Sequence, residues 1–403
     1  MLSSLFTGIS GLNANSNAMS VISDNIANVN TTAFKSSSVS FANILSQAQS
    51  GFAGSEIGNG VSISDIVPQM EQGSVETTNS ATDLAIYGDG FFVVKDAEGT
   101  DYYTRCGEFK LDENGNLVDG NGYAVQGWDM VAGVGTGGEI SDVNIGDATS
   151  APSATTEFSI DMNLDASASD GDQYSTSLTV YDSLGNDIDL TVTMTRNGSD
   201  WDWAASIPSS SGSVTSGSGT LTFDSDGVLS NGSDETITLS LSNGATSPHS
   251  IAWDLVDAGG SSNGDISGYA ATSSTTALNQ DGYASGTLQA ISIGEDGIIT
   301  AAYSNGQSGE LFQIALASFT SSWGLTNIGG NLYTTSTDSG QPTIGTPDSG
   351  TLGGIISESL EMSNVDLATE FVNLITTQRA FQANSRSITA SDEILVELMN
   401  IKR

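Results

Sequence analysis

The residues able to do chemistry are few and poorly spaced for it. His249 is the only histidine in 403 residues, so a multi-histidine metal site cannot be assembled, and no Ser-His-Asp relay is read around it. Asp112, Asn114 and Asn116 echo a calcium loop, but Leu117 stands where the sharp turn needs glycine and no glutamate closes the set. That stretch reads as a hairpin turn, and Asp224-Ser225-Asp226-Gly227 reads the same way. Carboxylates are so plentiful that hydrolase-like pairs arise by chance, and no glycine-rich phosphate cradle is present. Cys106 is the lone cysteine, which rules out an intrachain disulfide and reads as a buried inert thiol. The expectation is a chain without enzymatic activity, cofactor or bound metal.

The charge balance narrows the partners. With 9 Lys and Arg against 48 Asp and Glu, the formal net charge is −39, a surface that repels nucleic acid and anionic membranes. No run approaches the ~20 apolar residues of a membrane span. The first residues, Met1 to Met19, lack the basic and continuous apolar regions of a cleaved secretory signal. A protein working outside the cell would then have to leave by a route that cleaves no leader.

The elements with a clear periodic signal lie at the two ends. Leu5, Leu12, Met19 and Ile26 recur every seventh position, and Leu2, Ile9 and Ile22 widen that stripe. Near the other end, Leu367, Leu374, Phe381, Ile388 and Leu395 keep the same interval. Their companion seam would run Phe371, Gln378, Ser385, Asp392 and Met399, too polar for a two-stranded zipper. Such a helix packs among several partners and turns its polar seam to water or a channel. Ser363 and Asp366 are read as a capping box, with Met362 stapled onto Leu367. A helix from there to Met399 would be roughly 55 Å long. Burying its five large side chains contributes on the order of 7–15 kcal/mol, while ordering costs about 1–2 kcal/mol per residue before hydrogen bonds offset it. Order on assembly is therefore expected, the alternative being an intramolecular helix pair capping a globular body.

Between the ends the texture is β. Residues 31–75 read as an extended linker or long hairpin, with apolar positions such as Phe34, Phe41, Leu45, Val61 and Ile66. Leu84 to Tyr87, a turn at Gly88-Asp89-Gly90 and Phe91 to Val94 read as strand, turn, strand. Turns at Asn114-Gly115 and Asn121-Gly122 repeat that logic. From about residue 146 a second unit begins, with Arg196 its single base and short alternating strands suited to a small sandwich or barrel. Near Asp281 the first texture returns, with Leu311 to Phe319 as one of its strands. The expected fold class is mainly β with terminal α-helices, built as discontinuous nested domains. These are a coiled-coil-like helical module (1–30 with 364–403), the linker or hairpin (31–75), a β-domain (76–145 with 286–363) and an acidic outer β-barrel or sandwich insertion (146–285).

Several stretches resemble one family. Ser10-Gly11-Leu12-Asn13, Ser23 to Thr31 and Phe34-Lys35, then Ser363 to Leu367 and Gln378 to Ser385, are similar to the two ends of bacterial flagellar rod and hook proteins. Leu84 to Phe92, Tyr103-Thr104-Arg105, Gly107 to Trp128 and Tyr303 to Gln307 resemble that family's shared β-domain. Asp24 departs from the pattern, where asparagine is more usual, as does Cys106 beside Arg105. The insertion, with Leu221 to Leu229 as a hook-type strand pair, points to the hook member. A distal rod protein is the nearest rival, and a secreted acidic adhesin is the reading from another class.

The resemblance implies a helical homopolymer outside the cell, a curved flexible tube coupling rod to filament and transmitting torque. It implies rod protein, hook–filament junction proteins, hook cap and type III export apparatus as further partners. The assembly interface would comprise Leu5, Ile9, Leu12, Met19, Ile22, Ile26, Leu367, Phe371, Leu374, Phe381, Ile388 and Leu395.

Overall fold

A computed structural model describes residues 2–44, 47–48, 56–131, 134–135, 138–146, 148–230, 233–257 and 261–401. Leu45 lies outside the described residues, and so does the side chain of Leu2. Two helices, α1 (Leu2–Ala27) and α2 (Leu367–Ile401), enclose a chain of short strands. The chain divides into two compact units: Met1–Asp147, Ile291–Ala301 and Gly309–Arg403 form the first, Ala148–Ala290 and Ala302–Ser308 the second.

In the first unit, α1 runs into a turn in which Asn28 N–H donates to Asp24 O, and its end is fixed by Ala33 at φ 56°. The chain then forms a long antiparallel hairpin, Ser37–Asn43 against Val61–Pro68, with a register shift after Ser40. α1 packs on this hairpin, where Val61 N–H donates to Ser10 Oγ at 3.2 Å.

The β-core of this unit is organised around Phe91–Lys95, which pairs with Asp101–Thr104, Ala124–Val131 and Leu316–Ser318. Both faces of Phe91–Val94 are buried, which is why the strand reads as an unbroken apolar run rather than an alternating one. One face packs Phe91 edge-on to Phe319 and Tyr333, and the other packs Phe92 edge-on to Phe109. Leu84–Tyr87 does not pair with Phe91–Lys95 as a hairpin. Its partner is Gly354–Ser357, because Gly88 (φ 110°) and Gly90 (φ 133°) turn the chain from one sheet into another. The stretch from Leu311 is likewise two strands. It pairs with Ala124–Val131 as far as Ala315, whose N–H still donates to Gln126 O, and changes neighbour at Leu316, which lies opposite Phe92.

The Asn-Gly turns form as expected, with aspartate chemistry as the reason. Asp112 Oδ1 accepts the N–H groups of Asn114 and Asn116, and Asp119 Oδ1 those of Asn121 and Tyr123. Gly115 and Gly122 supply the positive φ that closes each turn. These carboxylate oxygens are occupied by the turn itself. Asp224 does the same for Asp226 and Val228.

The second unit is a sandwich of two open sheets. One runs Gln173–Tyr181, Asp187–Asn197, Asp200–Ser206, Ser218–Leu221. The other runs Gly212–Ser216, Glu235–Leu241, His249–Trp253, Glu157–Asn163, Ile266–Ser267, with Ser274–Gln280 also on Glu157–Asn163. Every second residue from Ile188 to Met194 is buried, the period that puts one face of a sheet on a core. Trp201, Trp203 and Trp253 fill that core, with Trp203 edge-on to Trp253 and Phe158 stacked on it.

Candidate assembly surface and its anchor

Within the single chain, α1 and α2 are helical and lie antiparallel. Ser4 Oγ meets Ser391 Oγ at 3.4 Å. A Cβ added to Gly8 would come within 2.9 Å of Ile388 Cγ1, and one added to Gly11 within 2.7 Å of Asn384 Nδ2. The buried side of α1 is therefore Gly8, Gly11, Ala14, Ala18, Ile22 and Asn25, a stripe at three- and four-residue spacing that brings the helix axes close. Within one chain the two helical ends lie side by side.

Apart from Ile22, the apolar stripe of α1 lies beside that buried side rather than in it. Leu5, Leu12, Met19 and Ile26 are half-buried, Ile22 is buried, and Ile9 is 45 % exposed, next to Phe6 at 67 %. On α2, Leu374, Phe381, Ile388 and Leu395 are half-buried. Their companion seam is Glu370, Thr377, Asn384 and Ser391, one position before the seam inferred from sequence. Gln378, Asp392 and Met399 are exposed and Ser385 is half-buried. Leu367 and Phe371 stand exposed, as do Val372 and Ile375. The helix pair thus meets closely at Gly8 and Gly11 and leaves Phe6, Ile9, Leu367, Phe371, Val372 and Ile375 exposed.

The start of α2 is almost one full turn later than a Ser363 cap would place it. Asp366 is the N-cap: Oδ1 accepts Ala368 N–H at 2.8 Å and Thr369 N–H at 3.4 Å, and Oδ2 accepts the Thr369 hydroxyl. Those hydrogen bonds hold the Asp366 carboxyl below its ordinary pKa. Ser363 sits outside the helix, its hydroxyl accepting Val365 N–H.

The helices are tied to the β-domain by buried polar groups. Lys35 Nζ donates to Glu361 Oε1 at 2.6 Å and to Glu71 O at 2.7 Å, and Glu361 Oε1 also accepts Gly73 N–H. Arg105 Nη1 lies 3.5 Å from Glu361 Oε2, with the guanidinium over the Phe91 ring. Burial pushes the Lys35 and Arg105 pKa values down, and the Glu361 carboxylate opposes this in both cases. Asn364, beside α2, accepts Ser36 N–H and donates to Gln69 O and Glu71 O. Asn25, at the end of α1, exchanges both its amide bonds with Ser37. Asn331 donates to Thr32 O. Sequence reading missed this cluster. Lys35 is the first base in the chain, and a lone base in so acidic a sequence was the available signal.

Among the described residues no group of His, Cys, Asp and Glu could hold a metal ion, and no helix is long and apolar enough to cross a membrane.

Comparison with known proteins converges on the same parts. Family models match in chain order: Flagella basal body rod protein over residues 5–35, Flagellar hook protein FlgE/F/G D1 domain over 85–165, Flagellar basal body protein FlaE D2 domain over 144–283, and Flagellar basal body rod FlgEFG protein C-terminal over 356–401. That set defines an axial protein of the bacterial flagellum. The chain is 35 % identical to the Flagellar hook protein FlgE of Salmonella typhimurium, covering 98 % of each. It is 34 % identical to that of Escherichia coli, again over 98 % of each, and 34 % identical to that of Treponema pallidum over 100 % of each. A crystal structure of the Helicobacter pylori flagellar hook protein FlgE2 aligns with 71 % of this chain and 100 % of that one, at a TM-score of 0.48 and 17 % identity. The chain belongs to the flagellar hook protein FlgE family.

Proposed function

We propose that this chain is a hook subunit that polymerises through α1 and α2 into an extracellular tube. The observation that carries the reading is the mismatch on the helices. α1 meets α2 at Ser4, Gly8 and Gly11, while Phe6, Ile9, Phe371 and Ile375 remain in water. So many large apolar side chains exposed on one pair of helices mark a contact surface. A heterologous contact, in which one patch meets a different patch on the next copy, generates an open helical polymer.

The Lys35–Glu361–Arg105 cluster fits a transmission role. It fastens the segments following α1 and preceding α2 to the β-domain, so that a twist delivered to the helices passes into the rest of the subunit. The acidic sandwich would form weak outer contacts, like charges keeping them soft enough for subunits to approach and separate as the tube bends. By analogy with the family, the chain leaves the cell through the flagellar type III apparatus without cleavage. There it meets the hook cap, the rod protein and the hook–filament junction proteins.

The reading is tested by electron cryomicroscopy of the purified chain under polymerising salt. Curved tubes with α1 and α2 forming the inner wall support it. Polymers in which both helices face outward, or no polymer under any salt, overturn it.

A further inference from the structure

A groove of about 250 Å³ opens where α1, α2 and the hairpin strand Ser37–Asn43 meet. Val21, Val39 and Phe41 supply an apolar wall, while α2 supplies Glu370 and Asn373. The volume is below the range of ordinary ligand pockets and suits a side chain. Glu370 Oε2 is buried in this half-open site and has no hydrogen-bond partner. A buried carboxylate oxygen left unmet costs free energy, which a cationic donor would recover.

The chain has few cations to offer. Lys35 and Arg105 are committed to Glu361, Lys95 to Asp101 and Lys110 to Glu108. Arg196 lies over Trp201 and donates to Ala166 O. The remaining described bases are Arg379 and Arg386, both exposed on α2. Seven residues apart, they share one side of the helix. Neither has a carboxylate three or four residues away, and neither takes part in an ion pair among the described residues. On the α2 axis they lie about 13 Å and about 24 Å from Glu370. Glu370 therefore meets neither within one copy, but a second copy displaced along the helix can supply one.

Resting on the hook-subunit reading above, we propose that this groove is a socket for an α2 arginine, Arg379 or Arg386, from a second copy of the chain. The guanidinium pairs with Glu370. The aliphatic stem runs along Val21 and Val39, and the Phe41 ring faces the cation. Acceptor and donor occupy different levels of the same helix, so the contact is head-to-tail and repeats from copy to copy. It also accounts for two arginines that have no ionic partner among the described residues, on a chain of net charge −39.

The test is a charge-swap series read as the critical concentration for tube formation. Glu370→Arg should raise it on the order of tenfold to a hundredfold, and Glu370→Gln should raise it less. Combining Glu370→Arg with Arg379→Glu or with Arg386→Glu should return most of the loss in one of the two pairs, the coupling expected of side chains in contact. Circular dichroism confirms that each variant keeps its helices and strands, and Glu370→Gln carries the test if the reversal does not fold. The proposal is overturned if the unaltered chain forms tubes and both Glu370 variants polymerise at its critical concentration, or if neither swapped pair recovers. Failure of the unaltered chain to form tubes would instead remove the reading on which the proposal stands.

Discussion

Lys35 Nζ and Glu361 Oε1, 326 positions apart in the chain, meet at 2.6 Å with their side chains 1 % and 0 % exposed. This contact closes the loop between the chain's two ends at the place where both helices leave the β-domain. A buried ion pair is weak evidence for net stability, since desolvating both charges offsets their attraction. Its value lies in fixing one arrangement of the segments around it.

Removing one partner should be costly. Glu361→Leu leaves Lys35 and Arg105 buried without their counter-ion and is expected to destabilise the first unit by about 3–5 kcal/mol. The double variant Lys35→Met/Glu361→Leu should regain much of that loss. Denaturant unfolding of the three proteins measures both numbers. A single variant as stable as the parent would show that the pair is not a structural clamp.

Gly11→Leu improves intrinsic helix propensity, yet its side chain would enter the space of Asn384. The expected outcome is a looser α1–α2 pair, read as faster limited proteolysis of both ends with the β-units still protected. Because propensity pulls the other way, any loosening reports packing.

The cap assignment separates two residues. Asp366→Ala should speed amide hydrogen exchange at Ala368 and Thr369, whose N–H groups it accepts. Ser363→Ala should leave both rates unchanged. Equal effects would return the start of the helix to Ser363.

Acid should loosen the sandwich through Asp182. Burial alone would raise its carboxyl pKa, but hydrogen bonds from Asn186, Asn243 and Leu184 N–H outweigh burial and hold it below 3.8. A depressed folded pKa contributes stability that is present above the unfolded value and lost as pH falls through the folded one. The melting temperature of the second unit should therefore drop below about pH 4. That dependence should be shallower in Asp182→Asn. An unchanged slope in the variant would contradict the assignment.

Much of this was legible in the residues themselves. The Leu374, Phe381, Ile388, Leu395 interval announces α2, and the alternation from Ile188 to Met194 announces a half-buried strand. The face by which α1 meets α2 was not legible, because glycine and alanine carry little hydrophobic signal and are selected by close approach. Ser363 and Asp366 each resemble a cap, and only the hydrogen bonds to Ala368 and Thr369 distinguish them. Gly88-Asp89-Gly90 has hairpin composition, yet the flanking strands belong to different sheets, a long-range choice that a local pattern does not encode. The Lys35–Glu361 contact is of the same kind.

The central claim, that the surface left open by the α1–α2 contact is where the next copy binds, is tested most directly by sedimentation of Ile9→Glu and Phe371→Glu under conditions where the unaltered chain forms tubes. Both side chains are exposed, 45 % and 50 %, so folding should be spared. The account predicts soluble monomers with unchanged β-structure. Tubes pelleting at the parental critical concentration in both variants would contradict it.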